Sequence, residues 1–182
     1  MADYDVVVTG AGMVGAVVAL ELTRCGRRVL LLEADPPVRT VGRLGYELRT
    51  VALSPRSWET VGTVADLGAL RHCPVRRMQV WEDEGTGVIT FDQADSTEEA
   101  LARVVENGAV VEALWRAFEG TVDVVCPGNI VGVDAGGQTV RLLIETDSGR
   151  AEHTADLLVI AEGQRSHTRD LIGVEVERTP IR

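Results

Sequence analysis

The chain has 182 residues, with 18 basic and 28 acidic side chains and a net charge of −10. That length suits one domain or slightly more, burying about 70% of the unfolded surface. The acid excess excludes the basic face that nucleic acid requires, and no apolar run approaches the roughly 20 residues of a membrane span. Cys25, Cys73 and Cys126 stand far apart without C-x-x-C spacing. Neither a disulfide framework nor a zinc site is expected, and a reducing cytoplasm is the default compartment. The apolar stretch Val14 to Leu22 is interrupted by Glu21 and lacks a basic segment before it, so it does not read as a secretory signal. With a strand-like run from Tyr4, no transit peptide is expected.

Asp5-Val6-Val7-Val8 is β-branched and almost wholly apolar, which predicts a buried strand. A turn follows, Gly10-Ala11-Gly12-Met13-Val14-Gly15, and then a helix over Ala16 to Arg24. Gly26 suits its C-terminal cap, and Arg24, Arg27 and Arg28 suit the negative end of its dipole. Val29-Leu30-Leu31-Leu32 is a second buried strand and ends on Glu33. This β-α-β order is the unit of a parallel sheet. Asp35 to Gly45 reads as loop, and Leu48 to Leu53 as a short extended run. Ser54-Pro55 opens a helix, serine as N-cap and proline in the first turn, with Trp58, Val61, Val64 and Ala65 on one face. Arg76 to Trp81 and Val88 to Phe91 alternate around Glu84-Gly85-Thr86-Gly87, the pattern of a hairpin. Asn107 is placed to cap a helix reaching Glu119, with Val110, Val111, Leu114 and Phe118 at helical spacing. From Val122 the period becomes two. Val122 to Val125, Asn129 to Val133, Thr139 to Thr146 and Arg150 to Thr154 predict an antiparallel meander. Asp156 to Ile160 returns to the buried-strand type, followed by Ala161-Glu162-Gly163 and a short helix from Ser166 to Ile172.

The first turn matches G-x-G-x-x-G at Gly10, Gly12 and Gly15. Gly10 makes the tight turn out of the strand, Gly12 lets a pyrophosphate approach the backbone, and Gly15 lets the helix pack closely on the strand. The phosphates would sit at the helix N-terminus, where free N–H groups and the dipole favour anions. Glu33 stands 18 residues after Gly15. A carboxylate there accepts from adenosine ribose hydroxyls and repels a 2′-phosphate, so FAD or NAD is expected rather than NADP. An NAD-binding half would continue through further β-α units. The hairpin and meander inserted before the last parallel strand favour the FAD-binding variant. The nucleotide is therefore expected at Gly10, Gly12, Met13, Val14, Gly15, Glu33 and Ala34.

Several stretches carry a family resemblance: Asp5 through Ala16, Arg49-Thr50-Val51-Ala52-Leu53-Ser54-Pro55, Pro74 through Trp81, Val105-Glu106-Asn107, Ala113-Leu114-Trp115, and Ala161-Glu162-Gly163-Gln164-Arg165-Ser166 with Arg169. In this order the chain resembles the N-terminal half of the flavin-dependent aromatic-ring hydroxylases, most closely the ubiquinone-biosynthesis hydroxylase branch. The resemblance implies an α/β fold: a Rossmann-like FAD-binding domain of parallel sheet with an inserted antiparallel meander, and a small β segment of a truncated substrate domain. It implies an FAD-binding domain over 1–74 and 103–173, a substrate-domain hairpin over 75–102, and the start of a further substrate domain over 174–182. It implies FAD as cofactor and NAD(P)H as electron donor. Arg49 would lie near flavin and pyrophosphate, Glu162 would take the flavin's ribityl hydroxyl, and Gly163 would complete that second turn. Ile160 stands where the family has the turn's first glycine, and Gly108 and Val111 stand where it commonly has a cofactor-contacting arginine and glutamine.

The reaction so implied is hydroxylation of a small aromatic ring, a polyprenylated phenol of ubiquinone biosynthesis, by reduced flavin and O₂. The cofactor carries the chemistry, so no catalytic side chain and no metal ligand is expected. His72, His153 and His167 sit apart as surface or structural residues. Trp58, Trp81 and Trp115 are expected in the core, although the resemblance puts Trp81 on a hairpin that faces the substrate region, and Glu82-Asp83-Glu84 is expected in a solvated turn. The family branch acts on membrane-borne quinone precursors, yet nothing here forms an amphipathic anchor and a charge of −10 is repelled by an anionic leaflet. A cytoplasmic protein is expected, with contact at the periphery of the inner membrane made through the rest of the enzyme or a biosynthetic complex. Two other readings stay open: a non-catalytic dinucleotide-binding fragment, and an NAD-dependent dehydrogenase domain.

Overall fold

The computed structural model describes residues 2–38 and 41–177. Residues 178–182 of the segment expected to open a further domain lie outside the described residues. In chain order the first elements are β1 (Tyr4–Thr9), α1 (Met13–Arg24), β2 (Val29–Leu32), β3 (Thr50–Leu53), α2 (Pro55–Gly62), β4 (His72–Val75), β5 (Arg77–Trp81) and β6 (Val88–Asp92). Then come β7 (Ala102–Glu106), α3 (Asn107–Arg116), β8 (Asp123–Val125), β9 (Asn129–Asp134), β10 (Val140–Thr146), β11 (Gly149–Ile160) and α4 (His167–Leu171). They pack as two units, one formed by the residues up to Pro36 with those from Ala117 onward, the other by 37–116.

The first unit is a six-stranded sheet in the order β8-β2-β1-β11-β10-β9. β1 pairs in parallel with β2 on one side and β11 on the other, Val7 standing opposite Leu30 and Leu158. The apolar runs of β1 and β2 become the middle of this sheet because they offer no polar face to water. Val7, Val8, Leu31 and Leu32 have no exposed surface. Val7, Leu30, Leu32, Ile130, Leu142, Ile144 and Ala155 form a continuous apolar core. α1 covers part of the sheet through Gly15, Ala16, Ala19 and Leu20.

Three expectations are corrected here. Val122 to Val125 is not part of the meander: β8 lies parallel to β2 at the sheet's edge, Leu31 opposite Val124. Arg150 to Thr154 and Asp156 to Ile160 are one strand, β11, which pairs antiparallel with β10 along its first half and parallel with β1 along its second. The apolar and alternating patterns meet inside it because its two halves have different neighbours. The helix from Asn107 stops at Arg116 rather than Glu119, with Gly120 at φ +70° soon after.

In the second unit β7 is the centre of a three-stranded antiparallel sheet, β3-β7-β4. The sequence pattern hides β4 because Pro74 sits within it. A proline is tolerated there since β4 is an edge strand. Ser54 caps α2 as expected, its Oγ accepting from the Ser57 amide at 3.2 Å, with Pro55 in the first turn. Trp58 is half-buried rather than core, its ring 4.9 Å from His72 and 5.5 Å from the Arg103 guanidinium. β5 and β6 form the expected hairpin, Val80 opposite Ile89. Trp81 on it is 68% exposed, against the expected core position. Among the described residues no helix is long and apolar enough to cross a membrane.

Candidate functional site

The glycine turn leaves β1 at its C-terminal end. Gly10 holds φ at +94°, and a Cβ there would stand 2.6 Å from the Ala161 carbonyl oxygen. A Cβ on Gly15 would stand 1.8 Å from the Gly10 carbonyl oxygen. These two glycines are needed by the protein itself, so that β1, α1 and the end of β11 can close on one another. Gly12 differs: it is exposed and a Cβ there would meet nothing within 4 Å. Its absent side chain leaves space on the outside of the turn. Gly12 is also the N-cap of α1, so no side chain caps that helix, and its first turn holds no acid. Val14 is 70% exposed and Met13 half-buried on the same turn. The result is an uncapped helix N-terminus facing open space, the arrangement that receives phosphate.

Glu33 reaches this turn from the end of β2. Its Oε2 accepts from the Ala11 amide at 2.5 Å and its Oε1 from the Ala34 amide at 2.9 Å. Its backbone is fixed by the strand misread in the sequence: Glu33 N–H donates to Val125 O at 3.1 Å, and Gly128 N–H to Glu33 O at 2.8 Å. Cys126 lies between those two partners. Burial pushes its thiol up, and Glu33 and Asp35 push it further, so it stays a protonated thiol rather than a nucleophile.

The second turn follows β11. Glu162 accepts from Thr9 Oγ1 at 2.7 Å, Ser166 Oγ at 2.7 Å, Thr168 N–H at 2.9 Å and Thr168 Oγ1 at 2.5 Å. These four bonds fill the acceptor capacity of a carboxylate. Burial would raise the Glu162 pKa, but the hydrogen bonds from Thr168, Ser166 and Thr9 outweigh it and hold it below the ordinary value. Ser166 also caps α4, accepting from Arg169 N–H at 3.1 Å. Thr9 and Thr168 escape a reading of the sequence. Their only signal is that each is a polar residue in a place that proves buried. Gly163 next door is exposed at φ +77°. Gly10, Gly12, Met13, Val14, Gly15, Glu33, Ala34, Glu162 and Gly163 thus gather at the C-terminal ends of β1, β2 and β11.

Arg49 belongs to the second unit. Its side chain is exposed and its carbonyl accepts from the Asn107 amide at 3.0 Å. Beside it the α3 N-terminus is met by Glu47, whose Oε2 accepts from the Gly108 amide at 2.7 Å. The expected capping role of Asn107 is filled by this carboxylate. Glu47 N–H donates to Glu106 Oε2 at 3.1 Å, and Arg71 donates to Glu106 Oε1 at 2.7 Å. Glu106 is 6% exposed, so its charge is tolerated only with such partners.

The family profile of the pyridine nucleotide-disulphide oxidoreductases matches residues 4–180. The chain is 29% identical over 177 residues to 3-demethoxyubiquinol 3-hydroxylase of Escherichia coli, covering 94% of this chain and 44% of the hydroxylase. It is 31% identical over 190 residues to the ubiquinone biosynthesis monooxygenase COQ6 of Xenopus tropicalis, covering 100% of this chain and 39% of that protein. The chain therefore spans about two fifths of the length of these relatives. Among solved structures, aklavinone-11 hydroxylase in ternary complex with FAD and aklavinone superposes with a TM-score of 0.67 at 22% identity, over 95% of this chain and 35% of that one. The likeness to that hydroxylase is one of fold, and it agrees with the Rossmann-like sheet, inserted meander and separate β segment described above. With its glycine turn, tethered acid and parallel sheet matched almost from end to end, the chain belongs to the pyridine nucleotide-disulphide oxidoreductase family.

Proposed function

We propose that the chain is the FAD-binding portion of an NAD(P)H- and O₂-dependent monooxygenase that hydroxylates a small aromatic ring, a polyprenylated phenol of ubiquinone biosynthesis. The observation that carries the reading is the Glu33 carboxylate held 2.5 Å from the Ala11 amide at an uncapped α1 N-terminus. That pairing sets a ribose acceptor beside a phosphate seat. The relatives named as ubiquinone hydroxylases and the FAD-containing neighbour support FAD and this substrate class. The residues fit the cofactor: Gly12 leaves room for the pyrophosphate, with Met13, Val14 and Ala34 around it and Gly10 and Gly15 closing the turn. Glu33 keeps acceptor capacity for the adenosine ribose. Arg49 is kept as a candidate cation for the cofactor on the family resemblance alone. Glu162 and Gly163 form the ribityl side, where a ligand hydroxyl would exchange with one of the four internal donors to Glu162.

Bound flavin would supply the activation of O₂. This chain's residues bind and orient the nucleotide. Hydroxylation is proposed for a protein that also contains the counterpart of the relatives' remaining length. Within this chain the proposed division is an FAD-binding part over 1–74 and 103–173, a substrate-side hairpin over 75–102, and the opening of a further domain from 174. The proposed setting is the cytoplasm, at the periphery of the inner membrane. One observation favours a second reading, a dinucleotide-binding protein without turnover. Gly108 and Val111 cannot make polar side-chain contacts to a cofactor, and Glu47 occupies the Gly108 amide. The test is to add FAD to the purified chain, remove the excess and record the flavin absorbance. Near-equimolar yellow protein is expected, and a colourless protein overturns the FAD reading. Oxidation of NADH or NADPH that depends on an added prenylated phenol, measured with the remaining segment present, separates turnover from binding alone.

A further inference from the structure

Among the described residues the β5–β6 hairpin is a two-stranded sheet without a third strand. Such a ribbon is marginal in water unless something covers its apolar face. Its register sorts the side chains by face. One face carries the cross-strand pairs Met78–Phe91 and Val80–Ile89, and the other carries Arg77–Asp92, Gln79–Thr90 and Trp81–Val88. The second face offers water two polar pairs of its three, with Arg77 lying 3.9 Å from Asp92. The first face is apolar in both pairs, yet Met78, Val80, Ile89 and Phe91 stay 42%, 50%, 59% and 49% exposed. In an antiparallel sheet the apolar face is the one that packs.

The two ends of that face indicate the occupant. Gln93 N–H donates to Arg76 O at 2.8 Å and Glu82 N–H donates to Gly87 O at 3.1 Å, so the ladder runs on at each end. Alternation places Arg76 and Glu82 on the same face as Met78 and Val80. Both are exposed, and neither has an ion-pair partner among the described residues. A Cβ on Gly85 would stand 1.9 Å from Glu82 Oε2, so that glycine gives the carboxylate its place at the tip. Positions 76, 78, 80 and 82 thus read cation, apolar, apolar, anion. Turned end for end, this row is its own complement. A second copy laid on it antiparallel sets apolar side chains against apolar ones and each Arg76 beside the other copy's Glu82. That is the self-matching patch of a two-fold interface.

We propose that two copies of this chain meet here, hairpin on hairpin about a two-fold axis. Four apolar side chains from each copy make a small interface, so the dimer is weak. The proposal does not rest on the FAD reading. Its test is sedimentation velocity of the 182-residue chain over a range of concentrations. The variants are Ile89→Lys, Arg76→Glu, Glu82→Lys, the double variant Arg76→Glu/Glu82→Lys, and an equal mixture of the two single charge variants. The parent is expected to show a monomer–dimer equilibrium. Ile89→Lys, which puts two lysines into the symmetric contact, removes it. Arg76→Glu and Glu82→Lys each make both end contacts repulsive and weaken the dimer about tenfold. The double variant restores it by exchanging the ends, and the mixture restores it as a heterodimer. A parent that stays monomeric up to about 1 mM overturns the proposal and leaves the face to the counterpart of the relatives' remaining length or to an apolar ligand. Association that survives Ile89→Lys overturns it as well, because the contact then lies elsewhere. Association that Ile89→Lys removes but the charge variants leave unchanged overturns the antiparallel pairing. Should Ile89→Lys not fold, the mixture of the two charge variants, both altered at exposed ends, decides alone.

Discussion

The Ala11 amide donates to Glu33 Oε2 at 2.5 Å across 22 residues of sequence. The acid that ends β2 is therefore part of the glycine turn as well as a neighbour of it. Replacing Glu33 by Ala removes the ribose acceptor and loosens the turn that receives the phosphates. A lost hydrogen bond to a charged group costs about 1.5–3 kcal/mol, so FAD affinity is expected to fall roughly 10- to 100-fold. Glu33→Gln keeps an acceptor but loses the charge. It is expected to narrow the preference for ADP over its 2′-phosphorylated form as competitors of FAD, read by FAD titration. An unchanged preference would remove Glu33 from the ribose site.

Gly15 and Gly12 are expected to respond oppositely to the same substitution. A methyl at 15 meets the Gly10 carbonyl oxygen at 1.8 Å, so Gly15→Ala is expected to destabilise the chain by about 1–3 kcal/mol or more. A methyl at 12 meets nothing within 4 Å, and φ −67° suits alanine. Gly12→Ala is expected to leave melting almost unchanged while weakening FAD binding. Melting in the absence of cofactor and FAD titration separate the two effects, and equal losses of stability would contradict this division.

Glu162 gives a pH signature with a defined sign. Its folded pKa lies below the ordinary value of 4.5, so its stabilisation is complete above that value and is lost as the pH falls through the lowered one. Melting of the parent and of Glu162→Gln is expected to differ by a constant amount from neutral pH to about pH 5, the difference shrinking below pH 4.5. A difference that grows in acid would mean that the carboxylate is not held by Thr9, Ser166 and Thr168.

One face of the β5–β6 hairpin carries Met78, Val80, Ile89 and Phe91, each between 42% and 59% exposed. Ile89→Lys is expected to change stability by no more than about 0.5 kcal/mol while lowering self-association and binding of an apolar dye. A loss of several kcal/mol in a denaturant melt would show Ile89 to be core.

The β-α-β unit was legible because each of its signals is local: an apolar run, a glycine turn, an acid at fixed spacing. Glu33, Gly10 and Gly15 needed no knowledge of distant residues. What the sequence hid depends on partners far along the chain. β8 alternates like the meander, and only its pairing with β2 shows it to be the support of the Glu33 backbone. Thr9 and Thr168 lie 159 residues apart in number, and nothing near either one announces that both donate to Glu162. Glu47 sits in a loop that glycines and prolines make look featureless. Its meaning comes from Gly108, 61 residues on.

β11 works as a measuring rod. Ala155 is paired at once with Val140 of the hairpin and Tyr4 of the parallel sheet, so it divides the strand into a tolerant and an intolerant length. A residue added before Ala155 lengthens a surface hairpin. A residue added after it moves Ala161 by about 3.3 Å, driving its carbonyl out of the notch that Gly10 leaves for it and carrying Glu162 away from Thr9. Natural variation in chain length is therefore expected to collect in the turns over 135–139 and 147–148, outside β10 with its buried Leu142 and Ile144, and the six residues from Ala155 to Ile160 to keep a fixed count.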